Sequence, residues 1–173
     1  SRPVRVEGLR SDTMQGDRAI RVILERMGAR TEEGENSLTV YPSPLKGVEA
    51  DMSDCPDLVP TVAVLAAFAE GETLVRGVAH LRIKECDRIA APAGELGKAG
   101  VPVEERPDGL MIRGNPELDL RGRALELLAH GDHRMAMSLS LLECKGASVR
   151  LDNPAVVNKS FPAFWDVWKE IRG

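Results

Sequence analysis

The segment RIKECDRIAA, which begins at Arg82, concentrates charge just ahead of a run of small and apolar residues that predicts a helix. Arg82, Lys84 and Arg88 are cationic, and Glu85 and Asp87 lie between them. The N-terminus of a helix is the positive end of its dipole, so cations are unfavourable there. Lys84 and Arg88 would also repel each other, by roughly 0.2–0.5 kcal/mol, if both were helical. A multiply charged anion bound between these cations would offset both effects.

Three predicted helices begin with an arginine in the first turn, namely Arg18, Arg88 and Arg134. The free N–H groups at a helix N-terminus bind anions, and planar guanidinium groups match carboxylate and phosphate oxygens in pairs. If the fold brings these N-termini to one face, the arginines would surround one small anion. The alternative at this point is that Arg88 and Arg134 pair with Asp87 or Asp132 on a hydrated surface.

The elements that would position these arginines occur twice along the chain. The segments GDRAIRVILERMG and CDRIAAPAGELGKAG each read as Asp-Arg, helix and glycine, and each is followed by two extended runs. The segments DLVPTVAVLAAFAEG and DHRMAMSLSLLECKG then each read as an acidic residue, an apolar helix and a glycine before a strand. We therefore predict a βαβαββ-type unit repeated around one core, at about residues 16–80 and 85–155, with a truncated third unit from 158.

Residues that favour helix ends mark the predicted helices. The aspartates expected as N-caps are Asp17, Asp57, Asp87 and Asp132. The glycines expected to end helices in a left-handed conformation are Gly28, Gly71, Gly100 and Gly146. The stretch Thr61–Ala69 is almost entirely apolar, and a helix that is apolar on all sides is buried. The sequence thus predicts an α/β (α+β) fold, in which sheets surround inner helices whose N-termini share one face.

The composition limits the classes of protein that remain. A chain of 173 residues, 43% hydrophobic and 29% charged, fits one globular domain. Its net charge of −4 argues against a general nucleic-acid binder, so an anion site must come from local arginines and lysines. Cys55, Cys86 and Cys144 form no C-x-x-C pair, which favours reduced cytoplasmic thiols over disulfides or a zinc site. No apolar run approaches the roughly 18 residues of a membrane span.

Five motifs carry a resemblance to a known family, and they occur in the same order as in that family. They are QGD (from Gln15), DCPDLVPTVAVLAAFAEG (from Asp54), KECDR (from Lys84), GDHRMAM (from Gly131) and NKSFPAFW (from Asn158). Together they resemble the C-terminal half of 5-enolpyruvylshikimate-3-phosphate synthases over nearly the whole chain. Singly, K-E-x-D-R and D-H-R-M-A are weak signals, whereas their combination is specific.

The resemblance implies an enolpyruvyl transferase of the shikimate pathway of aromatic amino acid biosynthesis. Such an enzyme moves the enolpyruvyl group of phosphoenolpyruvate to the 5-hydroxyl of shikimate 3-phosphate and releases phosphate, with no cofactor and no metal. It has two similar domains, each built from three βαβαββ units. By this resemblance residues 1–173 form a single globular domain, the C-terminal half of that enzyme, without its N-terminal domain and its own first strands. We therefore expect the isolated chain to be inactive.

The resemblance also implies three catalytic residues. Asp57 corresponds to the aspartate that takes the proton from the attacking hydroxyl. Glu85 corresponds to a group that transfers a proton at the methylene carbon of phosphoenolpyruvate, and Lys84 to a residue that contacts substrate and shares this acid–base work. From the residues alone, Asp57 is equally a simple helix N-cap, and Glu85 an exposed residue of a helix's first turn.

Five substrate-binding residues are implied in addition to Lys84. Arg88 and Arg134 correspond to the arginines that hold phosphoenolpyruvate, and Lys159 to a lysine that reaches its phosphate. His133 either orients the phosphate site or has a structural role. His80 stands where many members of the family carry an asparagine that contacts substrate, which leaves the contact to the sugar open.

Two other functions stay open beside this one. The related transferase that acts on UDP-N-acetylglucosamine has a similar fold, but the combination of K-E-x-D-R and D-H-R-M-A favours shikimate 3-phosphate as the acceptor. The same repeats could also form a domain that binds anions without catalysis. In each case the expected ligand is a small anion, and neither nucleic acid nor a membrane is an expected partner.

Overall fold

The computed structural model describes residues 2–9 and 18–172. In chain order its strands and helices are β1 (Val4–Glu7), α1 (Ala19–Arg26), β2 (Thr31–Gly34), β3 (Ser37–Val40), β4 (Glu49–Asp51), α2 (Val59–Ala67), β5 (Gly71–Arg76), α3 (Ala90–Lys98), β6 (Val103–Arg106), β7 (Gly109–Gly114), β8 (Ala124–Leu127), α4 (His133–Ser140), β9 (Ser148–Leu151) and α5 (Phe164–Arg172). Short 3₁₀ turns span Pro56–Leu58, Ala79–Ile83, Leu141–Lys145 and Pro154–Lys159. The motif residue Gln15 and the predicted N-cap Asp17 lie outside the described residues.

The described strands form three sheets. The first has the order β1–β3–β2 and is antiparallel. The second has the order β4–β5–β7–β6, in which β4 is parallel to β5 and the other pairs are antiparallel. The third is the parallel pair β8–β9. Parallel neighbours require a crossover, and α2 and α4 supply it. Both helices therefore begin after the carboxyl end of a strand, which is where Asp57 and Asp132 lie.

The same order of elements occurs twice in the described residues. A helix, a hairpin, a short strand, an inner helix and a final strand follow one another as α1-β2-β3-β4-α2-β5 and again as α3-β6-β7-β8-α4-β9. The prediction of mixed helices and sheets is confirmed. The short strands β4 and β8 were not assigned from the sequence, because each has only three or four residues. Where one repeat ends and the next begins stays a prediction.

The inner helices α2 and α4 form the centre of the molecule. Nearly every residue of α2 is buried, as its apolar sequence predicted, and α2 packs against α4. The buried side of α4 includes Met135, Ala136 and Leu139. At the contact between the helices, the hydroxyls of Thr61 and Ser138 lie 2.9 Å apart and share a hydrogen bond. The packing of these two helices fixes the relative position of their N-termini. No helix in the described part of the chain is both long enough and apolar enough to cross a bilayer.

Two of the predicted N-caps in the described residues bond to helix N–H groups. The Oδ1 atom of Asp132 accepts from the backbone N–H of Arg134 at 2.8 Å and caps α4. The Oδ1 atom of Asp87 accepts from the first backbone N–H groups of α3, those of Ile89 and Ala90, at 2.9 Å each. The prediction that Asp57 caps α2 is wrong, because Asp57 lies in the turn before that helix and its carboxylate binds arginines instead.

The predicted helix-ending glycines all have the left-handed backbone that glycine adopts readily. Gly28, Gly100 and Gly146 close helical segments with φ values of 94°, 86° and 87°. Gly71 also has a positive φ, of 89°, but it is the first residue of β5 rather than the residue that ends α2. No disulfide joins Cys55, Cys86 or Cys144 in the described residues, and the reduced state of these thiols stays a prediction.

Candidate active site

Segments from both repeats meet at the N-terminal ends of α2, α3 and α4. Asp57 comes from the turn before α2, and Arg88 from the KECDR segment before α3. Asp132 and Arg134 come from the first turn of α4. The ion pairs described below join these four residues directly, although the three segments that carry them are far apart in sequence.

Arg88 is the buried centre of this group, and only 3% of its surface is exposed. Its Nε atom donates to Asp132 Oδ2 at 2.6 Å, and its Nη1 atom donates to Asp57 Oδ1 at 2.7 Å. Its Nη2 atom lies 3.6 Å from Glu85 Oε2. Asp132 is fully buried, so this is a buried ion pair whose charges are compensated by direct bonds.

Asp57, from the first repeat, links two arginines of the second repeat. Its second oxygen, Oδ2, lies 2.8 Å from Arg134 Nη2. The side chain of Asp57 is 43% exposed and that of Arg134 is 27% exposed, so this side of the group faces solvent. Of the three first-turn arginines, the structure thus brings Arg88 and Arg134 to one carboxylate. Arg18 instead donates to Glu33 of β2 at 2.8 Å.

Glu85 lies next to Arg88 and contacts two further basic side chains, Lys159 and His133. Lys159, at the end of the Pro154–Lys159 turn, donates to Glu85 Oε1. The ring nitrogen Nδ1 of His133 lies 3.2 Å from Glu85 Oε2, but it is buried and lacks the alignment of a hydrogen bond. The structure therefore places the implied proton-transfer residue among three basic side chains. We call the following residues the arginine–carboxylate cluster: Asp57, Glu85, Arg88, Asp132 and Arg134.

The charges of Arg88 and Asp132 stabilise each other. Burial lowers the pKa of Arg88, but the hydrogen bond and charge of Asp132, together with Asp57, outweigh it and raise that pKa. Burial raises the pKa of Asp132, but the bond from Arg88 and the backbone N–H of Arg134 outweigh it and lower that pKa. Both groups are therefore ionised at neutral pH. Their buried ion pair supports the more exposed side chains of the group.

The alternative that Arg88 pairs with an aspartate on a hydrated surface is wrong about the surface. Arg88 does pair with Asp132, but the pair is buried. Asp87 does not bind Arg88; it receives Arg82 Nη1 at 3.0 Å and caps α3. Burial raises the pKa of Asp87, but the backbone N–H groups of α3 and Arg82 outweigh it, so the net direction is downward. Asp87 thus anchors the segment that presents Glu85 and Arg88.

Two implied site residues are not joined to the cluster. His80 and Lys84 are exposed, and within the described part of the chain neither makes a hydrogen bond or an ion pair. Lys84 is nevertheless adjacent to Glu85 in the sequence, and its side chain is free to reach a ligand. The roles implied for both residues stay predictions.

Three potential metal ligands come together in the cluster. Ligand atoms of Glu85, Asp132 and His133 all lie within 4.8 Å of one another. The carboxylates of Glu85 and Asp132, however, already contact the cationic Lys159 and Arg88. These positive groups would repel a metal ion, so the set suits an anion better than a cation. The absence of a metal requirement stays a prediction.

The sequence predicts Cys86 only as a reduced thiol, and Asp132 as a helix cap or the partner of an arginine on the surface. The Sγ atom of Cys86 donates to Asp132 Oδ2 at 3.5 Å. Burial, reinforced by the negative charge of Asp132, raises the pKa of Cys86 to about 12. Cys86 is therefore a neutral thiol that contributes a hydrogen bond to the buried carboxylate. The position of Asp132 beside an arginine, in the motif GDHRMAM, was the available signal for its second role.

Comparison with known proteins identifies the family of the chain. The family model described as EPSP synthase (3-phosphoshikimate 1-carboxyvinyltransferase) matches residues 1–168. The chain belongs to the EPSP synthase family. The resemblance seen in the sequence motifs is thereby confirmed.

Members of this family are similar to the chain along almost its whole length. The 3-phosphoshikimate 1-carboxyvinyltransferase of Syntrophobacter fumaroxidans is 43% identical over 165 residues, which are 95% of this chain and 38% of the relative. That of Methanococcus vannielii is 42% identical over 171 residues, which are 97% of this chain and 39% of the relative. The chain therefore spans about two fifths of the length of these relatives.

Solved structures of the family have the same fold. EPSP synthase from Acinetobacter baumannii superimposes with a TM-score of 0.81 at 28% identity, covering 97% of this chain and 41% of the other. The enolpyruvyl transferase NikO from Streptomyces tendae superimposes with a TM-score of 0.71 at 26% identity, covering 98% of this chain and 39% of the other.

Proposed function

We propose that this chain supplies the phosphoenolpyruvate-binding and proton-transfer residues of an EPSP synthase. The enzyme would transfer the enolpyruvyl group of phosphoenolpyruvate to the 5-hydroxyl of shikimate 3-phosphate and release phosphate, in the cytoplasm and without a metal or cofactor. The observation that carries the proposal is that Arg88 and Arg134, which are distant in sequence, meet on the solvent-accessible carboxylate of Asp57 from the first repeat, next to Glu85 and Lys159.

Phosphoenolpyruvate would bind by competing with the carboxylates of the protein. Arg134 and Lys159, whose side chains are 27% and 64% exposed, can turn from Asp57 and Glu85 towards the phosphate and carboxylate of the ligand. Arg88 is held in place by Asp132 and can share its remaining donors. Each charge-assisted hydrogen bond contributes about 1.5–3 kcal/mol. With Lys159, the cluster has three cations and three carboxylates, so binding exchanges ion pairs rather than filling a uniformly positive site.

The chemistry then requires three proton transfers at two positions, the 5-hydroxyl and the methylene carbon. Asp57 would accept the proton of the 5-hydroxyl while the hydroxyl oxygen bonds to the central carbon of phosphoenolpyruvate. Glu85 or Lys84 would deliver a proton to the methylene carbon and so complete a tetrahedral intermediate. That carbon would return a proton as phosphate leaves, which restores the double bond in the product. Arg88, Arg134 and Lys159 would stabilise the charge on the departing phosphate.

The partner of this site would be the rest of the enzyme. The chain spans 38% of the Syntrophobacter relative, and we propose that an N-terminal domain completes the site for shikimate 3-phosphate. The isolated chain would bind phosphoenolpyruvate weakly and would not turn it over.

Reconstitution tests the proposal. The chain is mixed with the separately produced N-terminal part, and phosphate release from phosphoenolpyruvate is measured with shikimate 3-phosphate or UDP-N-acetylglucosamine as acceptor. We expect turnover only when both parts and shikimate 3-phosphate are present. Turnover with UDP-N-acetylglucosamine would instead assign the related transferase. A folded and stably associated pair that binds phosphoenolpyruvate in calorimetry without any turnover would indicate a non-catalytic anion-binding domain.

A further inference from the structure

A buried carboxylate outside the arginine–carboxylate cluster has no part in the chemistry described above. Glu95 of α3 is only 3% exposed. Its Oε2 atom accepts from the backbone N–H of Leu128 at 2.9 Å and from Lys98 Nζ at 2.6 Å. Its Oε1 atom lies within hydrogen-bond distance, 3.0 Å, of His130 Nε2. A buried carboxylate is unfavourable unless it is bonded in this way, so Glu95 depends on these partners and they on it.

The partners of Glu95 lie on the loop 128–131, which joins β8 to α4. His130 has a φ of 54°, and it is the one non-glycine residue with a positive φ in the described ranges. A side chain disfavours this left-handed conformation, so other contacts must hold it. Asp152 Oδ1 accepts from Ala129 N at 2.7 Å, and Glu95 provides the contacts to Leu128 and His130. Contacts with Glu95 and Asp152 therefore hold the loop in a conformation that is intrinsically unfavourable for His130.

This loop determines where the first turn of α4 begins. Directly after it come Asp132, which binds Arg88, and Arg134, which binds Asp57. Glu95, for its part, lies on α3, the helix that follows Arg88. The contacts of Glu95 therefore join the two chain segments that carry the two arginines, at a place separate from the bond between Arg88 and Asp132.

We propose that Glu95 and His130 form a positioning pair that sets Arg134 against Arg88 for the binding of phosphoenolpyruvate. The proposal rests on the proposed function for the identity of the ligand. Neither residue touches the reacting atoms; both act through the loop 128–131. Loss of the pair lets the first turn of α4 shift, and a small displacement of one guanidinium group weakens a bidentate contact.

Kinetics of the complete enzyme distinguish positioning from simple stabilisation. We expect Glu95→Ala to raise the KM for phosphoenolpyruvate about tenfold, the equivalent of about one charge-assisted bond, with a smaller change in kcat. Glu95→Gln should restore much of the affinity, because its amide oxygen can still accept from Leu128. The matched control is Glu143→Ala. Glu143 is a carboxylate with 15% side-chain exposure that accepts from Trp168 Nε1 and Arg172, so its loss should lower stability and leave KM unchanged.

The substitution His130→Gly tests the imidazole contact with Glu95 while the left-handed backbone conformation stays accessible. Glycine adopts the left-handed conformation freely, so His130→Gly removes only the imidazole. We expect this variant to raise the KM for phosphoenolpyruvate in the same direction as Glu95→Ala. A wild-type KM for His130→Gly would overturn the role of His130.

Hydrogen exchange tests the pair without reference to any reaction. In this chain, Glu95→Ala should accelerate exchange of the backbone N–H groups of Leu128 and Asp132, and Glu143→Ala should not. Folded Glu95→Ala with unchanged exchange and unchanged KM would overturn the proposal. Faster loop exchange in Glu95→Ala, combined with an absence of turnover in the reconstituted wild-type enzyme, would support the positioning pair and count against the proposed function alone. If Glu95→Ala does not fold, His130→Gly decides the matter by the same measurements.

Discussion

At the scale of single residues, Arg134 and Arg88 have different environments although both bind Asp57. Arg134 is partly exposed and pairs with an exposed carboxylate, whereas Arg88 is buried and pairs with a buried one. The exposed arginine can change partners when an anion arrives, and the buried arginine cannot do so without leaving Asp132 unpaired. Substitutions at the two positions should therefore have different consequences.

Arg134→Ala in the complete enzyme should weaken the use of phosphoenolpyruvate without unfolding the protein. Loss of a charge-assisted contact of about 1.5–3 kcal/mol corresponds to a roughly ten- to hundredfold rise in KM. The ion pair with Asp57 is partly exposed, so its loss should change the free energy of unfolding by less than about 1 kcal/mol. Steady-state kinetics measures the KM for phosphoenolpyruvate, and thermal unfolding measures the change in stability. Severe unfolding with unchanged KM in the remaining folded enzyme would contradict it.

Arg88→Ala should instead unfold the domain, because it leaves the Asp132 carboxylate buried without its main partner. Removing one member of a buried pair costs about 3–5 kcal/mol. The folded pKa of Asp132 is lowered, so its contribution to stability is present above its ordinary pKa of 3.8 and is lost as pH falls through the lower folded value. Without Arg88 the raising effect of burial on the pKa of Asp132 dominates, so protonation of Asp132 at low pH should stabilise the variant, whereas the wild-type protein loses stability as the pH falls. Urea unfolding between pH 7 and pH 3 measures both effects, and equal acid sensitivity of the two proteins would refute the argument.

At the scale of elements, Asp87 connects helix formation to the site. Its carboxylate accepts from the first two N–H groups offered by α3 and from Arg82, and it lies directly between Cys86 and Arg88. We expect Asp87→Ala to lower the free energy of unfolding by about 0.5–2 kcal/mol, the range for a lost helix cap. Asp87→Asn should retain most of the cap because asparagine also accepts. Chemical denaturation of the three proteins gives the comparison, and equal losses for both variants would assign the effect to Arg82 instead.

The sequence predicted some elements better than others, and the reasons are physical. The buried helix α2 and the caps of α3 and α4 follow from local patterns, and the structure agrees. Asp57 was misread as a cap although Pro60, three residues later, lacks the N–H group that a cap at Asp57 would bond. The residues ALEL alternate between exposed and buried, with Leu125 and Leu127 buried, and this alternation is typical of a half-buried strand such as β8.

The positions of Glu85 and Glu95 show the limit of local patterns. Nothing near Glu85 in the sequence indicates Lys159, because that contact depends on how the later turn packs. For Glu95 a signal existed: the residue falls on the apolar face of α3 with Pro92, Leu96 and Ala99, where a carboxylate must have a buried partner. Which residue supplies that partner could not be read from one sequence, since His130 comes from a distant loop.

At the scale of the whole molecule, the surface next to the cluster contains an exposed apolar side chain. Ile83 is 87% exposed and directly precedes Lys84 and Glu85. If an N-terminal domain completes this site, as proposed above, we expect it to cover Ile83, because Ile83 directly precedes Lys84 and Glu85. Full burial of a side chain of this size stabilises an association by about 1.5–3 kcal/mol.

Ile83→Ser should therefore affect association and leave folding alone. We expect unfolding of the isolated chain to change by less than about 0.5 kcal/mol, because the isoleucine loses no buried contact. In the reconstituted enzyme, the concentration of N-terminal part needed for half-maximal turnover should rise roughly tenfold or more. Val22→Ser is the matched control, since Val22 is 53% exposed on α1 and lies in a different part of the sequence from the site residues. Titration of the N-terminal part against each variant measures the difference. An identical half-maximal concentration for both variants would show that Ile83 stays exposed when the two parts combine.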